Sequence, residues 1–184
     1  MPTILAHAAV PLAIGLGLGP RAISPRLLVA GVVASMAPDL DAIGLRLGVA
    51  YSDVAGHRGL THSLAFAMLL AALAAMLAGP LRTTPGRAYA FVLASAASHG
   101  LLDMMTTGGL GVAWWWPLSD ARHVLPWRPI RVSPLTLQRL FGPAGRAAMV
   151  SELWFVWLPA GLACGTCRLA RMMLQRRQAR RRTT

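Results

Sequence analysis

The chain has 184 residues, of which 55% are hydrophobic and only 13% are charged. Soluble proteins carry about 25% charged residues, so this composition excludes an ordinary water-soluble domain and indicates a single membrane-embedded one. The net charge is +12, and all eighteen basic residues are arginines. Because the arginines cluster at the ends of apolar segments and in the C-terminal tail, we expect them to face anionic lipid, and we expect no nucleic-acid partner.

Five apolar stretches predict membrane-spanning helices, since about 20 residues cross the hydrocarbon layer. They are residues 4–19, 27–49, 64–79, 88–105 and 153–172. The second stretch contains Pro38, which predicts a break in its helix. Before the last stretch lies a long loop rich in Gly, Pro, Trp and Arg, whose start at 108–116 is apolar and could be re-entrant or could cross fully. We therefore predict an all-α, polytopic membrane bundle of about five spans over residues 1–175, followed by a basic disordered tail at 176–184.

Seven candidate metal ligands lie in short motifs near the ends of these stretches: His7, Asp39, Asp41, His57, His62, His99 and Asp103. Threading five spans through a bilayer brings all seven to one side, together with every other acid, the fifth histidine and all six tryptophans. Ionisable groups at membrane depth are costly and usually functional. The sequence thus predicts one metal site at one membrane face.

The two predicted faces differ in basic residues. The face opposite the site receives eleven arginines, including five in the tail, and neither an acid nor a histidine. Basic residues favour the cytoplasmic side of a membrane. We therefore predict a multi-pass membrane protein with a cytoplasmic tail and the site on the outer face.

The local spacing of the motifs supports a shared site. His99 and Asp103 are four residues apart, so a helix presents both on one face. Thr61 is a predicted N-cap of the third helix, which would put His62 in the first turn of that helix. The positive end of the helix dipole would help to keep this imidazole neutral, as a metal ligand must be.

The mixture of ligand types indicates which ions the site would bind. Three protein ligands and a water make a catalytic zinc site, and seven mixed ligands would suit two ions, as in phosphoester and peptide hydrolysis. The many imidazoles predict zinc, as one or two ions, and the carboxylates keep manganese or iron open.

The motifs follow one another in a recognisable order: an N-terminal His, Pro-Asp-x-Asp, His-Arg-Gly-x-Thr-His-Ser, His-x-x-x-Asp, and a Trp-Pro-Leu-Ser that ends at Ser119. This order, over residues 1–131, resembles the YdjM-like family of bacterial inner-membrane proteins, described as LexA-binding or LexA-regulated predicted metal-dependent hydrolases. The resemblance implies a multi-span protein and carries the seven residues onto the ligand positions. A weaker similarity connects the ligand order with zinc-dependent phospholipase C.

The leading hypothesis is a membrane hydrolase that cleaves a phosphoester, of a lipid or a lipid-linked molecule, with a metal-activated water. The candidate catalytic residues are Asp41 as general base, Arg58 and His62. Candidate substrate ligands are Arg58, Ser119, Arg122 and Arg128, since arginine binds phosphate bidentately.

Two alternatives stay open: a metal-binding membrane protein that binds a partner without catalysis, and a metal transporter. Transport needs polar groups along a path to both faces, whereas the other half of every predicted span is apolar. The oligomeric state is not predicted.

Overall fold

The computed structural model describes residues 1–134 and 137–181, and within these ranges the chain forms helices and loops without a β-strand. The predicted all-α class is confirmed. The helices are α1 (Ala9–Leu18), α2 (Pro25–Met36), α3 (Ala42–Arg46), α4 (Leu64–Met76), α5 (Pro85–Met104), α6 (Leu137–Leu140), α7 (Pro143–Glu152) and α8 (Leu158–Arg181). Three 3-10 turns cover Ala6–Ala8, Ala37–Asp41 and Leu60–His62, and a π-helical turn, Leu153–Trp157, joins α7 to α8.

The five longer apolar helices run in alternating directions. The start of α2 lies beside the turn between α4 and α5, where the Ser24 hydroxyl donates to the carbonyl of Leu81. Arg171 of α8 lies against Gly19 at the end of α1, so the C-terminal half of α8 also reaches this end of the molecule. The starts of α1, α4 and α8 and the ends of α2 and α5 therefore meet at the opposite end.

The helices pack through small residues and turn large apolar ones outward. The buried side of α4 consists of Ala67, Ala71 and Ala74, while its leucines and methionines are largely exposed. Gly31 of α2 lies so close to Phe91 of α5 that a Cβ would come within 2.3 Å of the ring. Small residues at helix contacts are typical of membrane proteins, and large exposed apolar surfaces are rare on soluble monomers.

Two helical runs are long and apolar enough to cross a membrane by length and composition: Pro25–Arg46, with 22 residues, and Pro143–Arg176, with 34. Ala6–Leu18 and Leu64–Met76 are shorter apolar helices. The described residues thus contain fewer such runs than the five spans predicted. The difference has a physical reason, because two of the helices are short and α5 carries serine, histidine and aspartate along its 20 residues.

Several local predictions can be compared with the structure. The break at Pro38 is confirmed as the 3-10 turn Ala37–Asp41. The predicted cap at Thr61 is wrong: Ser63 caps α4 by accepting a hydrogen bond from the Phe66 amide, so His62 lies in the turn before the helix. The segment 108–116 is an irregular loop and does not cross as a helix. In the predicted disordered tail, residues 176–181 continue α8, and 182–184 lie outside the described residues.

Candidate metal centre

Five of the predicted ligands meet at the end of the molecule where α1 and α4 start and α2 and α5 finish. They come from the turn before α1, the turn after α2, the turn before α4 and the last turns of α5, and each is at most 5% exposed: His7, Asp39, His62, His99 and Asp103. The break at Pro38 matters here, because the 3-10 turn directs Asp39 inward at the end of α2. We call these five residues the central cluster.

The spacing of the ligand atoms in the central cluster matches the shell of one ion. His62 Nε2 lies 3.1 Å from Asp103 Oδ2, and the other Nε2-to-carboxylate distances, which join Asp39 or Asp103 to a histidine, run from 3.5 to 3.7 Å. Ligands about 2.0–2.1 Å from a metal ion are separated by about 2.9 Å in an octahedron and about 3.4 Å in a tetrahedron. The observed separations lie at or slightly above these values, and most are too long for hydrogen bonds.

The ligand atoms of the central cluster also lack other partners. Several buried side-chain atoms in the part of the chain that the structure describes have no hydrogen-bond partner. Six of them belong to the cluster: the Nε2 atoms of His7, His62 and His99, both carboxylate oxygens of Asp39, and Asp103 Oδ2. About 90% or more of buried polar groups in proteins have a partner. Ligand atoms of four of these residues, Asp39, His62, His99 and Asp103, lie within 4.8 Å of one another and could hold a cation.

The back of each of three ligands is held by a defined bond. The Nδ1–H of His99 donates to the carbonyl of Ser35 at 2.7 Å, so its Nε2 presents a lone pair to the cluster. His62 Nδ1 is hydrogen-bonded to the Thr61 hydroxyl at 3.1 Å and lies 3.1 Å from Asp41 Oδ2. Arg58 donates to Asp103 Oδ1 at 3.3 Å, which leaves Oδ2 for the ion.

His7 is oriented differently from the other histidines. Its ring stacks on that of His99 with 3.7 Å between the centroids, and neither ring nitrogen has a hydrogen-bond partner. Packing, and not a hydrogen bond, therefore positions this fifth ligand.

The electrostatics of the site favour a positive occupant. With the histidines neutral, the three carboxylates of Asp39, Asp41 and Asp103 outnumber the one buried guanidinium, that of Arg58, by two charges. Burial lowers the pKa of His62, but the three neighbouring carboxylates raise it overall to about 10. The site thus favours either a protonated His62 or a bound cation in place of that proton.

Asp41, His57 and His62 form a second group that could hold an ion, and it shares His62 with the central cluster. His57 Nδ1 lies 2.5 Å from Asp41 Oδ1. Asp41 Oδ2 accepts hydrogen bonds from the Thr61 hydroxyl at 2.6 Å and from the Arg58 amide at 3.2 Å. Asp41 therefore lies behind the two histidines, where it can orient their rings.

Comparison with known proteins identifies the family. The sequence model described as "YdjM inner membrane protein" matches residues 1–178. The chain belongs to this family. It is 49% identical over 166 residues to "Inner membrane protein YbcI" of Escherichia coli (strain K12), a match that covers 90% of this chain and 96% of that protein. No solved structure matches the chain. The family resemblance of the motifs is thus confirmed, and the family is one of inner membrane proteins.

The predicted substrate ligands of this family member do not lie together. Arg58 is fully buried and donates to Gly108, Asp103 and Thr106. Its backbone has a positive φ of 65°, which turns the side chain toward Asp103. Arg58 thus supports a ligand and is not exposed to a substrate, in contrast to the role predicted for it.

The other three predicted substrate ligands lie farther out. Arg122 donates to the backbone carbonyls of Tyr51, Asp53 and His57, so it braces the loop that carries His57. Ser119 and Arg128 are exposed, and Ser119 Oγ accepts a hydrogen bond from the Ala121 amide. No hydrogen bond connects these two residues with the central cluster within the described ranges.

A cavity of about 800 Å³ adjoins the cluster, and sequence reasoning missed it. Asp39 lies in its wall, as does Glu152, which accepts hydrogen bonds from the amide and the hydroxyl of Thr3. The carboxylate thereby fixes residues 1–5 as one side of the cavity. Glu152 was predicted on the site side, but nothing in the sequence signalled its pairing with Thr3, 149 residues away.

Proposed function

We propose that the protein is a polytopic inner-membrane hydrolase that cleaves a phosphoester, of a lipid or a lipid-linked molecule, with the help of a divalent metal ion. One observation carries this proposal: six unpartnered, buried nitrogen and oxygen atoms converge at one end of an outwardly apolar helix assembly. A cluster of this composition, beside a cavity that reaches Asp39, has both the ligands and the access that metal-dependent hydrolysis needs.

Two imidazoles and two carboxylates of the central cluster, those of His62, His99, Asp39 and Asp103, would hold the ion, with His7 beside them as a further candidate ligand. This set favours zinc and also suits manganese or iron. The group of Asp41, His57 and His62 would hold a second ion, if two are used. A bound divalent ion would supply Lewis acidity and lower the pKa of a water molecule.

The chain's own residues would manage the proton of the reaction. Hydrolysis forms a bond between the water oxygen and phosphorus and breaks the bond from phosphorus to the leaving oxygen. If only the central cluster holds an ion, Asp41, bonded to His57 at 2.5 Å, is the candidate general base for the proton that the water loses. The same pair can return this proton to the leaving oxygen.

The distribution of residues supports a multi-pass arrangement. The helices face outward with large apolar side chains and inward with alanine and glycine, as expected when lipid and not water surrounds them. Short spans would require local thinning of the bilayer. Arg21, Arg26, Arg82, Arg87 and Arg171 lie at the end away from the cluster, which favours a cytoplasmic position for that end and a periplasmic one for the site.

A non-catalytic metal-binding role is the second candidate, and the burial of the ligands favours it. Structural sites are closed, whereas catalytic sites keep an open position. The cavity at Asp39 argues for the open case. A transporter is disfavoured, since below the cluster the buried sides of α4 and α5 are mainly alanine, serine and larger apolar residues.

Metal analysis together with turnover tests the proposal. Detergent-purified protein should contain at least about one equivalent of zinc or manganese, and a His99→Ala variant should lose it, while a His123→Ala variant should keep it. The metal-loaded protein should hydrolyse p-nitrophenyl phosphate or phospholipid. Bound metal with no turnover would establish the non-catalytic role, and a protein without metal after reconstitution would refute both.

The orientation has its own test. A reporter fused after Thr184 should be read in the cytoplasm. A periplasmic reading would overturn the proposed orientation of the site.

A further inference from the structure

The cavity beside the central cluster is lined mainly by apolar residues, with a few polar ones that include Asp39. Asp39, which is only 5% exposed, belongs both to the cluster and to the wall of the cavity. The apolar wall is built from the N-terminal segment, α6, α7 and the π-turn: Ile4, Leu5, Leu140, Met149, Leu153 and Trp157. Its volume of about 800 Å³ lies within the range of about 300–1,000 Å³ for ligand pockets. An occupant would therefore be mostly apolar, with its polar part against the cluster.

The π-helical turn connects this cavity with the outside of α8. Leu153 and Trp157, the first and last residues of the turn, line the cavity. The same two residues line a second apolar depression on the outer face, with Trp154, Leu158, Gly161 and Leu162. This face belongs to the helical run Pro143–Arg176, which is long and apolar enough to cross a membrane. Single π-turns within helices often occur at functional sites.

The continuity of these two surfaces determines where an occupant would come from. An apolar molecule in the bilayer beside α8 would contact Leu153 and Trp157, the two residues that also line the cavity. Its polar end then lies beside Asp39. Acyl chains are the apolar molecules that such a face meets in an inner membrane.

We infer that the cavity is the acyl-chain pocket of the substrate, entered sideways from the bilayer along the π-turn, so that a lipid phosphoester places its phosphate beside Asp39. This inference rests on the proposed hydrolase function for the choice of phosphate, but not for the binding of the chain. It assigns the lipid tail to the wall formed by Met149, Leu153 and Trp157. The two hydrogen bonds that Thr3 donates to Glu152 position the opposite wall, since they hold the segment that carries Ile4 and Leu5.

Photolabelling tests the pocket independently of turnover. The full-length protein is placed in phosphatidylcholine nanodiscs that contain a phosphatidic acid with a diazirine near the end of one acyl chain. After irradiation, mass spectrometry locates the labelled residues. We expect label at Leu5, Met149 and Leu153, both in the native protein and in a metal-free His99→Ala variant.

A pair of neighbouring substitutions provides the control. Met149 lines the cavity, whereas Val150 is 56% exposed on the other side of α7. Met149→Trp occupies part of the cavity with a larger side chain and should lower cavity labelling at least about fivefold, while Val150→Trp should leave it unchanged. Leu5→Trp fills the cavity from the opposite wall and replaces Met149→Trp if that variant does not fold as a monodisperse protein.

The outcomes separate this inference from the proposed function. Equal labelling in the Met149→Trp and Val150→Trp variants, or label confined to the outer faces of the helices, overturns the pocket even if p-nitrophenyl phosphate is hydrolysed. Cavity labelling in a protein that hydrolyses neither ester retains the pocket and overturns the hydrolase. A photoreactive residue at position 149 that captures a protein and not a lipid would also overturn the pocket. If both proposals hold, Met149→Trp lowers the ratio of phosphatidic acid hydrolysis to p-nitrophenyl phosphate hydrolysis, and Val150→Trp leaves this ratio unchanged.

Discussion

Replacing Asp41 with asparagine tests whether this carboxylate orients the metal ligands or binds an ion itself. Asp41 accepts hydrogen bonds from His57, Thr61 and the Arg58 amide, and its Oδ2 lies 3.1 Å from His62 Nδ1. Asparagine keeps the shape but turns an NH₂ group toward one imidazole nitrogen. The tautomer that presents a His62 Nε2 lone pair to the ion is then no longer favoured.

The expected size of the effect follows from this geometry. Loss of a partner behind a metal-binding histidine lowers metal affinity by about 10- to 100-fold, which corresponds to about 1.4–2.7 kcal/mol. Titration of zinc against a chromophoric chelator, with the protein in detergent, measures this change. Asp53→Asn is the matched control, because Asp53 is an exposed carboxylate on the neighbouring loop.

Two results would contradict this reasoning in different ways. An affinity within about twofold of the native value would show that Asp41 does not orient His62. Loss of one equivalent of zinc with unchanged affinity for the remainder would show that Asp41 is a direct ligand of a second ion. Both results can be read from the same titration.

Three further predictions follow from the site and its supports. Burial lowers the pKa of His62, but neighbouring carboxylates raise it overall to about 10. Zinc binding near pH 8 should therefore release this proton, and the affinity for zinc should rise up to about tenfold per pH unit below pH 10. Calorimetric heats of zinc binding that do not depend on the buffer would contradict this. Gly31→Leu should lower the thermal midpoint, because its side chain would meet an aromatic ring of α5, whereas Gly161→Leu, in open space, should not. Arg58→Met should lower the free energy of unfolding by about 3–5 kcal/mol, since it leaves a buried carboxylate unpaired. Arg128→Met, at an exposed position, should lower it by almost nothing, and equal denaturation midpoints for these two variants would refute the role of the buried guanidinium.

The central cluster could be predicted from the sequence because polar residues are scarce in this chain. With only six acids and five histidines, motifs at the ends of apolar stretches have few other roles at membrane depth. The alternation of helix direction brings every second end together, so chain order alone predicted that His7, Asp39, His62, His99 and Asp103 would meet. The structure brings ligand atoms of Asp39, His62, His99 and Asp103 within 4.8 Å of one another, and it places His7 beside them, with 3.7 Å between its Nε2 and Asp39 Oδ2.

Contacts between distant parts of the chain decided the roles of the other residues. Thr61 was a reasonable helix cap by local rules, but its hydroxyl bonds to Asp41, 20 residues earlier, and Ser63 caps the helix instead. Arg58 was expected at a phosphate, yet it is buried against Asp103, 45 residues later. Neither contact has a local signal.

The sequence by itself therefore determined the all-α class, the membrane family and the composition of the cluster, since these follow from hydropathy, proline breaks and the identity of a few polar residues. Only the tertiary structure decided which ligand atoms face the common centre, which residues support them from behind, and where a cavity opens beside Asp39. The reason is geometric: an ion site and its pocket depend on separations of a few ångströms between helix ends, and packing sets those separations.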